Sequence, residues 1–182
     1  MRSRPVSETT RLRQGDHSIS NLTDRPDFAS IIAERIWRAW WRAEGSTLAD
    51  VEALVAENLR STGIPFALVA HRGETFLGTA SVIANDLKAR PTYGPWIAAV
   101  WVEPEGRGTG IGSGLVRAAA MAAFRLPIER LYLNATPANA PFYDALGWQR
   151  IEENVDGLAI FSMTRSHPAV EGLAKISDVS KA

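Results

Sequence analysis

The stretch Arg107-Gly108-Thr109-Gly110-Ile111-Gly112 brings together residues suited to holding an anion. It follows an apolar run, Trp96 to Val102, and the turn Glu103-Pro104-Glu105-Gly106, and it opens an alanine-rich run from Gly112 to about Leu126. Strand, glycine-rich turn and helix in that order gather unpaired N–H groups and the positive end of a helix dipole around one point. Glycine lets a ligand come close to that backbone. A phosphate suits such a cradle, and Arg107 could add a charge-assisted hydrogen bond. Spacing separates the known phosphate loops. The Gly-Lys-Ser/Thr of a Walker loop is missing. A dinucleotide fingerprint started at Gly108 meets Ser113 where its last glycine belongs, and started at Gly110 it meets Leu115. The alternative is a tight turn that binds nothing.

Written as R-x-x-G-x-G and preceded by Val100-Trp101-Val102-Glu103-Pro104, this loop resembles the cofactor motif of the GNAT superfamily of acyltransferases. Further along, Phe142-Tyr143-Asp144-Ala145-Leu146-Gly147-Trp148 resembles the second signature of that family, an aromatic-Tyr pair on a short helix followed by Leu-Gly-aromatic. The resemblance extends over the order of elements from about Ser18 to Thr164. It implies a single-domain α/β (α+β) fold: a mixed, mostly antiparallel sheet of about six to seven strands flanked by about four helices. It also implies acetyl-CoA as co-substrate, no metal, and transfer of an acetyl or short acyl group to a primary amine of a small molecule or peptide.

Residue by residue, the resemblance implies that backbone groups of Val100 and Val102 pair with the pantetheine arm as with an added strand. Arg107 and the N–H groups of Gly108, Thr109, Gly110, Gly112 and Ser113 would hold the pyrophosphate. Tyr143 is the matching acid. A phenol near pKa 10 giving its proton to a thiolate near 8.5 goes uphill by about 2 kcal/mol, which positioning can offset. The alternative for Tyr143 is a core aromatic whose hydroxyl is satisfied locally. Many family members carry a carboxylate near the start of the central strand, where this chain has Trp96. Asp86, Glu103 and His71 are possible substitutes, each also readable as a solvated or loop residue, so the base is unassigned. Thr136 stands about where relatives place an asparagine against the pantetheine, and Asn139, just beyond, reads as a helix cap. The missing carboxylate keeps a second class open, a coenzyme A-binding sensor or interaction protein that does not turn over.

The elements that must carry these residues follow from periodicity. Asp27 to Ala43 places Ile32, Ile36, Trp37, Trp40 and Trp41 on one helical stripe, which reads as core; the alternative, implied by the resemblance because the first two helices of that family border the acceptor cleft, is that Trp37, Trp40 and Trp41 line an acceptor pocket. After Ser46 and Thr47, which can cap, Leu48, Val51, Leu54, Val55 and Leu59 repeat the pattern until Gly63 and Pro65. Phe66 to His71 and Thr75 to Ile83 form a hairpin across Arg72-Gly73-Glu74. Trp96 to Val102 reads as a strand covered on both faces, with Trp96 and Trp101 on opposite faces unless a bulge intervenes. Leu131 to Leu133 is a strand. Thr136-Pro137 reads as the start of a short helix ending at Gly147, with Pro141 leaving its start open. Trp148 to Ile151 and Leu158 to Met163 close the pattern across Asn154 to Gly157.

Bulk properties set outer limits. The 182 residues suit one domain, expected over 17–165 between tails at 1–16 and 166–182. Twenty basic and twenty acidic side chains balance to zero net charge, which disfavours nucleic acid or an anionic membrane as partner. With no cysteine there is no disulfide framework and no thiolate nucleophile, and a reducing cytoplasm fits. The apolar run Trp96 to Val102 falls far short of the roughly 20 residues a membrane span needs. Exposed strand edges would allow a homodimer.

Overall fold

In a computed structural model, residues 17–166 are described; residues 1–16 and 167–182, where the tails were placed, lie outside them. Seven strands form one sheet: β1 Ser18–Asn21, β2 Phe66–Arg72, β3 Thr75–Ile83, β4 Trp96–Val102, β5 Arg130–Ala135, β6 Gln149–Val155 and β7 Leu158–Thr164. Their order is β1-β2-β3-β4-β5-β7-β6, and each neighbouring pair is antiparallel except β4 and β5. The helices are α1 Ala29–Ile36, α2 Leu48–Arg60, α3 Ile111–Phe124 and α4 Ala140–Ala145. This is the mixed, mostly antiparallel sheet with four helices that the resemblance implied.

Helix α3 lies on one face of the sheet. Its buried Leu115, Val116, Ala119, Ala120 and Ala123 share a core with Leu68, Val82 and Ile97 of the first strands and with Leu131, Leu133 and Phe161 of the last. Small side chains let the helix come close, and Gly78 of β3 takes this furthest. A Cβ there would stand 2.6 Å from the Trp101 carbonyl oxygen and 3.1 Å from Leu115 Cδ1. Helices α1 and α2 cover the opposite face through Ile32, Ala33, Ile36, Val51 and Val55. The cap expected at Thr47 is present as a reciprocal box: Asp50 N–H donates to Thr47 Oγ1 at 3.2 Å, and Thr47 N–H donates to Asp50 Oδ2 at 2.8 Å.

Four expectations are corrected. The helix read across Asp27 to Ala43 changes pitch: Pro26–Phe28 is a 3-10 turn, and Trp37–Trp41 is a π-helical segment in which Arg42 N–H reaches back to the Trp37 carbonyl at 2.8 Å. That segment turns Trp40 and Trp41 outward, 43% and 37% exposed, so they are not core. Strand β4 is covered on both faces only at Trp96, Ile97 and Ala98, and is half-buried from Ala99 on. It carries a bulge, with Thr79 opposite Trp101 but Ser81 opposite Ala98, and Ala99 adopts φ 51°. The extra residue shifts the alternation, so Trp96 and Trp101 both face away from α3 while Ile97, Val100 and Val102 pack toward it. Finally, the last helix begins at Ala140 rather than after Thr136, whose carbonyl instead closes a turn with the N–H groups of Asn139 and Ala140. Asn139 occupies the cap position without a side-chain capping bond.

Gly78→Ala should cost about 1–3 kcal/mol by overpacking β3 against β4 and α3. Urea unfolding checks this: a midpoint equal to wild type would contradict the close approach described here.

Candidate active site

The parallel pair β4 and β5 is joined at one register position, Trp96 opposite Tyr132, with Tyr132 N–H donating to the Pro95 carbonyl at 3.0 Å. Beyond it the strands separate. Glu103 N–H donates to the Leu77 carbonyl at 2.9 Å, which aims Glu103 and, by alternation, Trp101 at β3. Val100 and Val102 therefore turn their main-chain groups toward the gap. Val102 O already accepts Arg107 Nε at 3.0 Å. Arg107 also stacks over the Trp101 ring at 5.0 Å, so it braces the end of β4.

The glycine-rich turn sits where the gap meets α3. Gly108 and Gly110 take φ values of 73° and 92°, a region that strains residues with a side chain. Thr109 Oγ1 donates to the Gly106 carbonyl at 2.7 Å and Ser113 Oγ to the Gly110 carbonyl at 2.8 Å, which stiffens the turn. Gly110 is the N-cap of α3, and no side chain caps it. The first-turn amides, Gly112 and Ser113 among them, thus present donors without a capping competitor. A phosphate group fits this arrangement, and an extended chain with alternating amides fits the gap beside Val100 and Val102.

Tyr143, on α4, is 9% exposed and packs between Phe142 and Phe161 at ring distances of 4.9 and 5.9 Å. Burial, aided by the charge of Asp86, pushes its phenol up to about 12. Asp86, in the loop after β3, accepts Asn134 Nδ2 at 2.7 Å across the gap from β5. Its side chain is exposed to solvent, and partial desolvation by its neighbours raises its carboxyl above the usual range, opposed by the Asn134 amide. Asn134 was not singled out by sequence; no local spacing links it to Asp86.

The remaining base candidates have structural partners. Glu103 accepts Arg35 Nε at 2.6 Å. His71 lies on β2, beside the edge strand β1, 2.9 Å from Ser20 Oγ and 2.9 Å from an Arg25 terminal nitrogen, and its ring packs on Phe28. Trp96 is fully buried and donates Nε1 to the Tyr93 carbonyl at 2.7 Å, sealing the closed end of the gap with Tyr93 and Tyr132. On the side of α1, Trp40 meets Trp101 edge-on at 6.1 Å, and the buried Trp101 indole N–H has no partner. The exposed Thr136 offers no more than its turn carbonyl among these contacts.

A model of the acetyltransferase (GNAT) family matches residues 32–148. Among solved structures, the spermidine/spermine N-acetyltransferase of Vibrio cholerae, in mutant form, superposes with a TM-score of 0.63 at 14% identity, over 87% of this chain and 98% of that one. An acyl-CoA N-acyltransferase from Pseudomonas aeruginosa gives 0.57 at 18%, over 82% and 99%. An acetyltransferase from Thermus thermophilus gives 0.56 at 16%, over 84% and 99%. At these identities the likeness speaks for the fold. A search of curated proteins finds no match.

The phenol of Tyr143 should titrate at about pH 12 in the folded protein against about 10 when unfolded. Because the folded value is the higher one, its contribution to stability is complete below pH about 10 and is lost as the pH rises through about 12. Carbon NMR of ring-labelled tyrosine checks this; a Tyr143 midpoint at the ordinary value would contradict its burial.

Proposed function

Because this chain belongs to the acetyltransferase (GNAT) family, we propose that it transfers an acetyl or other short acyl group from acyl-CoA to the primary amine of a small molecule or peptide. The observation that most supports this reading is the gap between β4 and β5, which has the glycine-rich turn and the uncapped start of α3 at one end. Acyl-CoA, when bound, supplies the thioester carbonyl that the amine attacks and the sulfur that departs.

The chain's own residues then have three tasks. The amides of Gly108, Thr109, Gly110, Gly112 and Ser113 bind the pyrophosphate at the positive end of α3. The main chain of Val100 and Val102 aligns the pantetheine as a strand would, with Arg107 yielding the Val102 carbonyl or bracing it beside the ligand. Tyr143 hands its proton to the departing sulfur. Between a phenol at about 12 and a thiol near 8.5 that transfer is uphill by about 5 kcal/mol, steeper than an unburied tyrosine would face. Something must therefore make Tyr143 a stronger acid at the moment of reaction.

The test is thiol release from acetyl-CoA with a panel of amines: aminoglycosides, amino acids, peptide N-termini, and polyamines, the class acted on by the Vibrio cholerae structural relative. Turnover is expected with one class, and silence across the panel would count against the reading. Tyr143→Phe should lower kcat about a hundredfold with coenzyme A affinity nearly unchanged. Gly110→Val should weaken coenzyme A binding about tenfold, because a β-branched residue resists the left-handed backbone at the helix start. Calorimetry on the folded variant checks the second; equal affinity would remove the turn from the cofactor site.

A further inference from the structure

The acyl-transfer reading, on which this inference rests, does not say which amine enters. Packing leaves a nucleophile one face to enter by. Beneath α3 the gap is filled by Ile111, Leu115, Leu133, Ala140 and Tyr143, with Val100 and Val102 packed against them. Its closed end is plugged by Trp96 and Tyr132. The open approach is the face of β4 that carries Trp101, whose indole packs toward α1 and α2. An acceptor reaching a thioester held beside Val100 and Val102 passes this ring, because Trp101 stands between those two residues on the strand.

The Nε1–H of that ring is buried and has no hydrogen-bond partner. A buried indole N–H ordinarily finds one, and leaving it unmet is costly. The groups that cover the ring belong to the surface. Trp40 meets it edge-on at 6.1 Å and is itself 43% exposed, and the exposed Arg107 lies over it at 5.0 Å, bonded to the Val102 carbonyl. Either can shift without disturbing the core, so an arriving oxygen can take the N–H. The charges beside it are already matched. Glu103, two residues on and on the same face, accepts Arg35 Nε at 2.6 Å, and Glu34 is paired with Arg35 and Arg38.

We infer that Trp101 and Trp40 select an amine that bears a carbonyl oxygen within a few bonds and an apolar or aromatic body, the chemistry shared by amino-acid amides and peptide N-termini, with the Trp101 indole donating to that oxygen. An indole nitrogen donates and does not accept, so its partner must bring a lone pair. The exposed Trp40 ring gives the apolar body a surface to cover. A polyamine matches neither feature: its protonated nitrogens offer no lone pair, and Glu34 and Glu103 are already engaged by arginines. The transfer itself balances as in any amide formation. The N–C bond forms and the C–S bond breaks with its electron pair on sulfur. Of the two protons the ammonium nitrogen loses, one ends on that sulfur and one in water.

The experiment measures thiol release from acetyl-CoA with phenylalanine amide, a peptide with N-terminal phenylalanine, phenethylamine and spermidine, with rates expressed per unprotonated amine. Phenethylamine keeps the ring and the amine of the amide but lacks its carbonyl. Trp101→Phe, which keeps a ring and removes the donor, should cost about tenfold in kcat/KM with the amide and leave phenethylamine nearly unchanged, so that differences in basicity between the amines cancel. Trp40→Ala should raise KM about tenfold for both aromatic amines with kcat nearly unchanged. With coenzyme A in place of acetyl-CoA no turnover occurs, and in protein with labelled tryptophan the Trp101 indole proton should then move to lower field on addition of the amide only. Whichever of the amide and the peptide is faster supports the same chemistry and identifies its source. An equal cost of Trp101→Phe for amide and phenethylamine, an unmoved indole proton, or a preference for spermidine overturns the inference while leaving acyl transfer standing. Absence of thiol release with every amine of both panels overturns the acyl-transfer reading and this inference with it.

Discussion

The single register contact between β4 and β5 is the constraint from which the rest of the architecture follows. A parallel pair that holds only at Trp96 and Tyr132 divides seven strands into two half-sheets and leaves main-chain groups of Val100 and Val102 aimed at open space. Buried peptide groups need partners, and the Arg107 side chain supplies one for Val102. What keeps the halves together is α3, whose buried face contacts Leu68, Val82 and Ile97 on one side and Leu131, Leu133 and Phe161 on the other. The helix that bridges the halves is also the helix whose uncapped first turn faces the gap. Mechanical support and the proposed phosphate-binding turn therefore share one element.

Features set by nearby residues were legible in the sequence. The turn before α3 depends on glycines at φ values that other residues avoid, and the β2–β3 hairpin, the Thr47 cap and the two faces of α2 rest on contacts a few residues apart. Tyr143 was singled out through the motif around it, Phe142 to Trp148. What stayed hidden depends on residues far apart or on irregular backbone. Asp86 and Asn134 are separated by 48 positions and meet only because the loop after β3 folds over β5. The outward turn of Trp40 and Trp41 comes from a change of helical pitch that hydrophobic spacing does not encode. The start of α4 at Ala140 follows from the turn on the Thr136 carbonyl, which competes with the capping role its sequence suggested.

Electrostatic assignments divide in the same way. Sequence offered Asp86, Glu103 and His71 as equivalent candidates for one task, since each is a titratable residue in the right part of the chain. Packing separates them. Glu103 is tied to Arg35, and through it to Glu34 and Arg38, as a strut between α1 and the end of β4. His71 is tied to Ser20 and Arg25 at the edge strand. Trp96 is an aromatic plug backed by Tyr93 and Tyr132, which fills the closed end of the gap with rings.

The bulge at Ala99 has a consequence for how such a strand can change over time. Side chains on a strand alternate with strict parity, so one additional residue works like a frameshift in space: every position after it exchanges sides. Here the shift delivers Val100 and Val102 to the helix and an indole to the opposite wall, next to Arg107 and Trp40. Gain or loss of a single codon at this point would relocate a whole set of cleft-lining groups at once, whereas point substitutions alter them one by one. A lineage could in this way re-line its cleft in one step without redesigning the sheet around it.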